Sequence, residues 1–108
     1  MKLRVALAQI NPTVGDLEGN AALILAHAES AAISGAQVAL FPEMALTGYP
    51  VEDLALRPSF QQASAKAITV LAGQLPAKMV SVVGYLDHVA GAPQNRVAII
   101  SGGAVVAT

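Results

Sequence analysis

The chain contains no cysteine among its 108 residues. Disulfides, thiolate metal sites and a cysteine nucleophile are therefore excluded within this segment. Tryptophan is absent too, and two Phe with two Tyr bring the aromatic content to only 4%. That leaves almost no surface for stacking bases. Charge is equally scarce. Charged residues make up 12%, and six basic against seven acidic side chains give a formal net charge of −1, which is no electrostatic footprint for nucleic acid. No run of about 18 uninterrupted apolar residues occurs, so no membrane-spanning helix is expected. The opening "MKLRVALAQINPTVG" lacks a small-residue cleavage site, and Asn11-Pro12 breaks its apolar run. It does not read as a secretory signal, and a cytoplasmic location is the expectation.

What the chain does have is apolar residues, at 55% of the total, in short runs separated by turn signals. "KLRVALAQI" is rich in Val, Leu and Ile, and reads as a strand buried on both faces. After "NPTVGD", Asp16 or Asn20 can cap a helix running to about Ser34, with Gly35 as its stop. Its apolar face would carry Leu17, Ala21, Ile24, Ala28 and Ala31, and its polar stripe Asn20, His27, Ser30 and Ser34. "QVALF" is a second strand, so the first forty residues form a βαβ unit with parallel strands.

A loop from Pro42 to Arg57 precedes a second helix opened by Pro58, which carries Phe60, Ala63, Ala67, Val70 and Leu71 inward and ends before Pro76. "MVSVVGYL" is a third strand, in which Gly84 marks a bulge or close packing. "DHVAGAPQ" turns the chain, "NRVAIIS" is a fourth strand, and Gly102-Gly103 makes a tight hairpin into "AVVAT". The fold class is α/β, in the order β-α-β-α-β-β-β. Two helices cover only one face of such a sheet. The other face, apolar and uncovered, would drive association. This leads to the expectation of a piece of a longer protein. The alternative is a small domain that dimerises through the bare face.

The stretch "LFPEMALTGYP" puts Glu43 at the carboxyl end of the second strand. In parallel α/β sheets, ligands and catalytic groups gather there. Phe41 is held extended by the following proline, and Pro42 ends the ladder because it has no N–H to donate. The direction in which Glu43 leaves the sheet is thereby fixed, and an apolar mouth around a carboxylate would suit it to general-base work. On spacing alone, an ordinary loop glutamate in solvent is the simpler account. Glu52 and Asp53 could pair with Glu43 as a second carboxylate; the plainer reading has Asp53 capping the turn at "LAL" and Arg57 pairing at the surface. His27 and His88 fall on a helix stripe and in a turn, which is not the spacing of a metal site.

"LRVALAQINPTVGDLEGN" and "GAQVALFPEMALTGYPVEDLALRPSF" resemble the amino-terminal part of the nitrilase (carbon–nitrogen hydrolase) superfamily. "YPVEDLALRPSF" is similar, more narrowly, to the glutaminase domain of the glutamine-dependent NAD synthetases. The resemblance runs over all 108 residues and implies the amino-terminal half of an α-β-β-α sandwich, a partial glutaminase domain without its synthetase domain. It implies a Glu-Lys-Cys triad acting on the side-chain amide of glutamine. Only Glu43 can be carried over. The lysine is expected just past Thr108 and the cysteine further on, and Lys2, Lys66 and Lys78 do not occupy the matching place. Tyr49 would line the glutamine pocket, unless it is a packing tyrosine with its hydroxyl at the surface. The resemblance implies no cofactor in this chain, with ATP and Mg in the synthetase domain, and a homo-oligomer partnered by that domain. A free-standing nitrilase-family amidase and a non-catalytic dimerising module stay open as alternatives.

Overall fold

The structure, a computed structural model, describes residues 1–108. Asp16 opens the first helix, α1 (Leu17–Ile33), where its Oδ1 accepts the Gly19 N–H at 2.9 Å. The chain leaves α1 through Ser34 and a left-handed Gly35. α1 links β1 (Val5–Leu7) to β2 (Val38–Leu40), which pair in parallel with Val5 opposite Val38. A short 3-10 turn (Glu52–Leu56) leads into α2 (Pro58–Gln74), which starts on Pro58. β3 (Val80–Val89) then pairs in parallel with β2. β4 (Ala92–Ser101) and β5 (Ala104–Ala107) follow as an antiparallel meander, so the five strands lie in the order in which they occur.

Both helices pack on one face of the sheet. Ile24 and Ala28 from α1, with Ile68 and Leu71 from α2, meet Ala39, Val83, Ala98 and Ile100 in one buried cluster. Away from Gly84 and Leu86, over which the segment after β2 lies, the opposite face is bare. Leu7, Leu40, Val82 and Ile99 stand in register across four strands as one apolar row. Leu7 is 72% exposed, and Leu40 and Ile99 are exposed as well. β1 is therefore not buried on both faces, as its composition led one to expect. Only Ala6 turns toward the helices, while Val5 and Leu7 face outward.

Four other expectations need correction. Asn20 does not ride a polar stripe: it is 2% exposed and bonded inward. α2 is rotated from its expected phase. Gln61, Ser64, Ile68, Leu71 and Ala72 are its buried residues, and Ala63 and Val70 are exposed. "DHVAGAPQ" is mostly strand, because β3 and β4 stay paired as far as Val89 opposite Ala92 and only Ala90-Gly91 turn. Asp53 lies inside the 3-10 turn rather than capping it; Val51 holds the cap position, and its side chain accepts no capping bond.

Candidate active site at the end of the second strand

β2 does not stop cleanly at Leu40. The Phe41 N–H donates to the Val82 carbonyl at 2.9 Å, which extends the ladder by one rung toward β3. Pro42 then ends donation. The chain folds over β3: the Leu46 N–H donates to the Gly84 carbonyl at 3.1 Å, and the Gly48 N–H to the Met44 carbonyl at 2.8 Å. Met44 takes a left-handed backbone with φ +50, which is costly for a residue with a Cβ. Burial of its side chain against Val51 and Leu86 offsets that cost.

Two glycines let this loop seat. A Cβ on Gly84 would stand 2.5 Å from both the Pro42 oxygen and the Met44 nitrogen. The loop backbone therefore lies directly on the strand, and the close packing expected at Gly84 is what the structure shows. A Cβ on Gly48 would come within 2.6 Å of the Val14 Cα, so the far end of the loop abuts the turn after β1. That turn is tied to the loop by the Gly15 N–H, which donates to the Thr47 carbonyl at 2.8 Å. Buried Asn20 finishes the clamp. Its Oδ1 accepts the Thr13 N–H at 2.8 Å, and its Nδ2 donates to the Thr13 carbonyl at 2.7 Å and to the Leu46 carbonyl at 3.0 Å. A loop held on both sides is a rigid mount for whatever it displays.

It displays Glu43, between the fixed Pro42 and the strained Met44. Glu43 is exposed, so no apolar mouth made by this segment encloses it. Its side chain is nevertheless not free, because Oε1 accepts a hydrogen bond from Asn95 Nδ2 on β4. Asn95 is opposite Leu86 in the β3–β4 ladder and alternates with Val97 and Ile99. It therefore sits on the face of the sheet away from the helices, as does the row of Leu40, Val82 and Ile99. The sequence reading missed Asn95; within "NRVAIIS" the one signal was a polar residue at an alternating position of a strand.

Other residues singled out from the sequence lie elsewhere. Tyr49 is 68% exposed on the same loop as Glu43, and the Tyr49-Pro50 bond is cis. Asp53 and Arg57 form an exposed pair at 3.8 Å, an arrangement that contributes little. His27 is on α1 and His88 on β3. Lys2 and Lys78 precede the amino ends of β1 and β3, opposite to the strand end where Glu43 emerges, and Lys66 rides α2. The largest groove runs between the two helices, past Leu25, Lys66 and Val70, and shares no residue with the Glu43 loop. The one clearly perturbed group is Tyr85. Burial first, and then the hydrogen bond and charge of Asp87, push its phenol above the ordinary value, against an opposing pull from Arg96.

Residues 4–106 match the carbon-nitrogen hydrolase family. The glutamine-dependent NAD(+) synthetase of Thermotoga maritima is 38% identical over 106 residues, 97% of this chain and 18% of that protein. The synthetase of Xylella fastidiosa (strain Temecula1) is 39% identical over 107 residues, 98% of this chain and 19% of that protein. The structure of the Cytophaga hutchinsonii glutamine-dependent NAD(+) synthetase superposes with a TM-score of 0.89 at 27% identity, over 95% of this chain and 18% of that one. An amidase from Nesterenkonia sp. superposes with a TM-score of 0.80 at 22% identity, over 97% of this chain and 41% of that one, a likeness of fold alone. The chain thus spans less than a fifth of the length of these curated relatives. The match takes in the β1–α1–β2 unit, the loop that displays Glu43 and the meander that follows, and the chain belongs to the carbon-nitrogen hydrolase family.

Proposed function

We propose that this chain is the amino-terminal part of a glutamine-hydrolysing domain, in a longer protein that uses the released ammonia to amidate nicotinic acid adenine dinucleotide to NAD. The relatives named above support this reading, since they are synthetases of that kind and align over nearly the whole chain. The observation that carries it is the mounting of Glu43 on a clamped loop, bonded to Asn95 on a sheet face whose Leu7, Leu40 and Ile99 stay exposed.

In this reading Glu43 is the general base. Its carboxylate takes the proton of a cysteine thiol supplied by polypeptide beyond this segment, and the sulfur attacks the amide carbon of glutamine. A lysine, also from beyond, stabilises the negatively charged tetrahedral oxygen. Glu43 then returns the proton to the departing nitrogen, and ammonia leaves. Water, deprotonated by the same carboxylate, attacks the thioester carbon, frees glutamate and restores the thiol. Tyr49 lines the glutamine pocket from the same loop. No residue of this chain is assigned to ATP or Mg, which belong to the synthetase domain of the longer protein. A cytoplasmic location and a homo-oligomeric assembly go with the reading.

The test is Glu43→Gln in the full-length polypeptide, assayed for ammonia release from glutamine. Removing a general base lowers turnover by about 100-fold or more; retention of activity within a few fold refutes the assignment. The 108-residue chain by itself, which has no thiol, releases no ammonia from glutamine. Steady turnover by it would refute the division of labour.

A further inference from the structure

We infer that Asn95 is the positioning residue for Glu43, fixing which carboxylate oxygen is free to take the proton. The inference rests on the reading of Glu43 as the base and adds to it a residue from a different strand. The backbone on either side of Glu43 is held by Pro42, by left-handed Met44 and by the seat on Gly84. None of these holds the side chain, which has three rotatable bonds and is exposed. An unrestrained exposed glutamate samples many rotamers, and most of them do not face a substrate. The single side-chain hydrogen bond made to Glu43 comes from Asn95 Nδ2. An ionised carboxylate only accepts, so the amide must present its nitrogen, and the orientation of Asn95 follows from its partner. Asn95 itself sits inside the nine-pair ladder between β3 and β4, a more rigid platform than a loop. Its neighbours Gln94 and Arg96 point to the other face, where they bond each other and Asp87, and do not compete for the site.

With Oε1 engaged by Asn95, Oε2 is left to exchange the proton. Reacting atoms must approach to within about 3–3.5 Å in line, and losing that geometry costs up to about a hundredfold in rate. Asn95 should therefore act on the chemical step rather than on substrate affinity.

The experiment compares Asn95→Leu, Asn95→Asp, Glu43→Gln and the Asn95→Asp/Glu43→Gln pair in the full-length polypeptide. It measures kcat and KM for ammonia release from glutamine, with a thermal melt for each variant. Asn95→Asp is close to isosteric but sets an acceptor against an acceptor, so it decides the matter even where the leucine variant fails to fold. The expected result for either substitution is a fall in kcat of about tenfold to a hundredfold, with KM within about twofold. The double variant should be no slower than Glu43→Gln alone, because a residue acting through Glu43 has nothing left to position. Three results overturn the inference while leaving Glu43 as base. They are an unchanged kcat in Asn95→Asp, a raised KM with kcat intact, and a double variant slower than Glu43→Gln by the full Asn95→Asp factor. A Glu43→Gln variant that keeps its activity overturns the reading of the base, and this inference with it.

Discussion

Gly84 is the position where the seating of the site can be tested with one methyl group. Its φ lies outside the left-handed region, so alanine meets no backbone strain there, and the demand for glycine is purely spatial. A Cβ at Gly84 would stand 2.5 Å from the Pro42 oxygen and the Met44 nitrogen and 2.9 Å from the Glu43 carbonyl carbon. All three are backbone atoms, so no flexible side chain can swing away. Ordinary contact begins near 3.4 Å, so the loop must lift by about 0.9 Å. Forcing an extra carbon into a packed site costs about 1–3 kcal/mol. Replacing glycine by alanine in a strand returns about 0.5–1 kcal/mol through the unfolded chain. The balance is a loss of about 1 kcal/mol, or a urea midpoint lower by about 0.5–1 M for a chain of this size.

Gly73 is the control, since a Cβ there has nothing within 4 Å. Gly73→Ala on α2 should stabilise by about 0.5–1 kcal/mol. The same chemical change is thus expected to act with opposite signs at two sites in one chain, read by circular dichroism in urea. A Gly84→Ala midpoint equal to or above that of the parent chain would refute the claim that the loop rests on the strand. In the full-length polypeptide the displaced loop also carries Glu43 away from Asn95, and ammonia release should fall together with stability.

Asn20→Ala deprives the fully buried Leu46 carbonyl of its Asn20 donor and unties the turn after β1; the expected loss is about 2–3 kcal/mol in urea unfolding, and a change below about 0.5 kcal/mol would show the clamp to be dispensable. For Tyr85, the raised phenol means that the folded chain keeps its proton where the unfolded chain, at its ordinary value of 10.0, has lost it. This part of the stability is complete below about pH 10 and is lost as pH rises through the higher folded value. Tyr85→Phe should remove that part of the alkaline decline in the urea midpoint, and parallel curves for the two chains would sink the argument.

What the sequence made legible was what is encoded locally. Asp16 caps α1, Pro58 opens α2, and Gly102-Gly103 turn β4 into β5, each through the backbone needs of one or two residues. Glu43 was visible for the same reason, because a Phe-Pro step after an apolar run fixes where a strand must end. What stayed hidden was polar satisfaction across distant segments. α2 carries alanine at positions 63, 65, 67 and 72, so its apolar periodicity is faint and does not set its rotation. Hydrogen bonds set it instead. Gln61 Nε2 donates to the Ala55 and Gly91 carbonyls at 2.6 and 2.9 Å, and Ser64 Oγ to the Leu86 carbonyl at 2.7 Å. Asn20 turns inward under the same pressure, since a buried carbonyl without a donor costs more than a buried amide that supplies one. The polar letters of "DHVAGAPQ" read as a turn. In the fold, Tyr85 and Arg96 both donate to Asp87, at 3.0 and 3.2 Å, and join the two strands there.

The uncovered face and the site are one surface. Asn95 stands on the same side of β4 as Val97 and Ile99, and the Leu7–Leu40–Val82–Ile99 row crosses the sheet beside the loop that displays Glu43. Any polypeptide that covers this row to remove its apolar area from water must also roof the carboxylate. Burial that stabilises the sheet would then exclude solvent from the reacting atoms in the same step. This accounts for a clamp with no hydrophobic pocket of its own: Gly84, Gly48 and Asn20 fix the mount, Asn95 fixes the side chain, and the surroundings are left to the covering layer. Under the proposed reading, a charged residue at Leu40 in the full-length protein should therefore weaken both folding and ammonia release, although Leu40 touches no reacting atom.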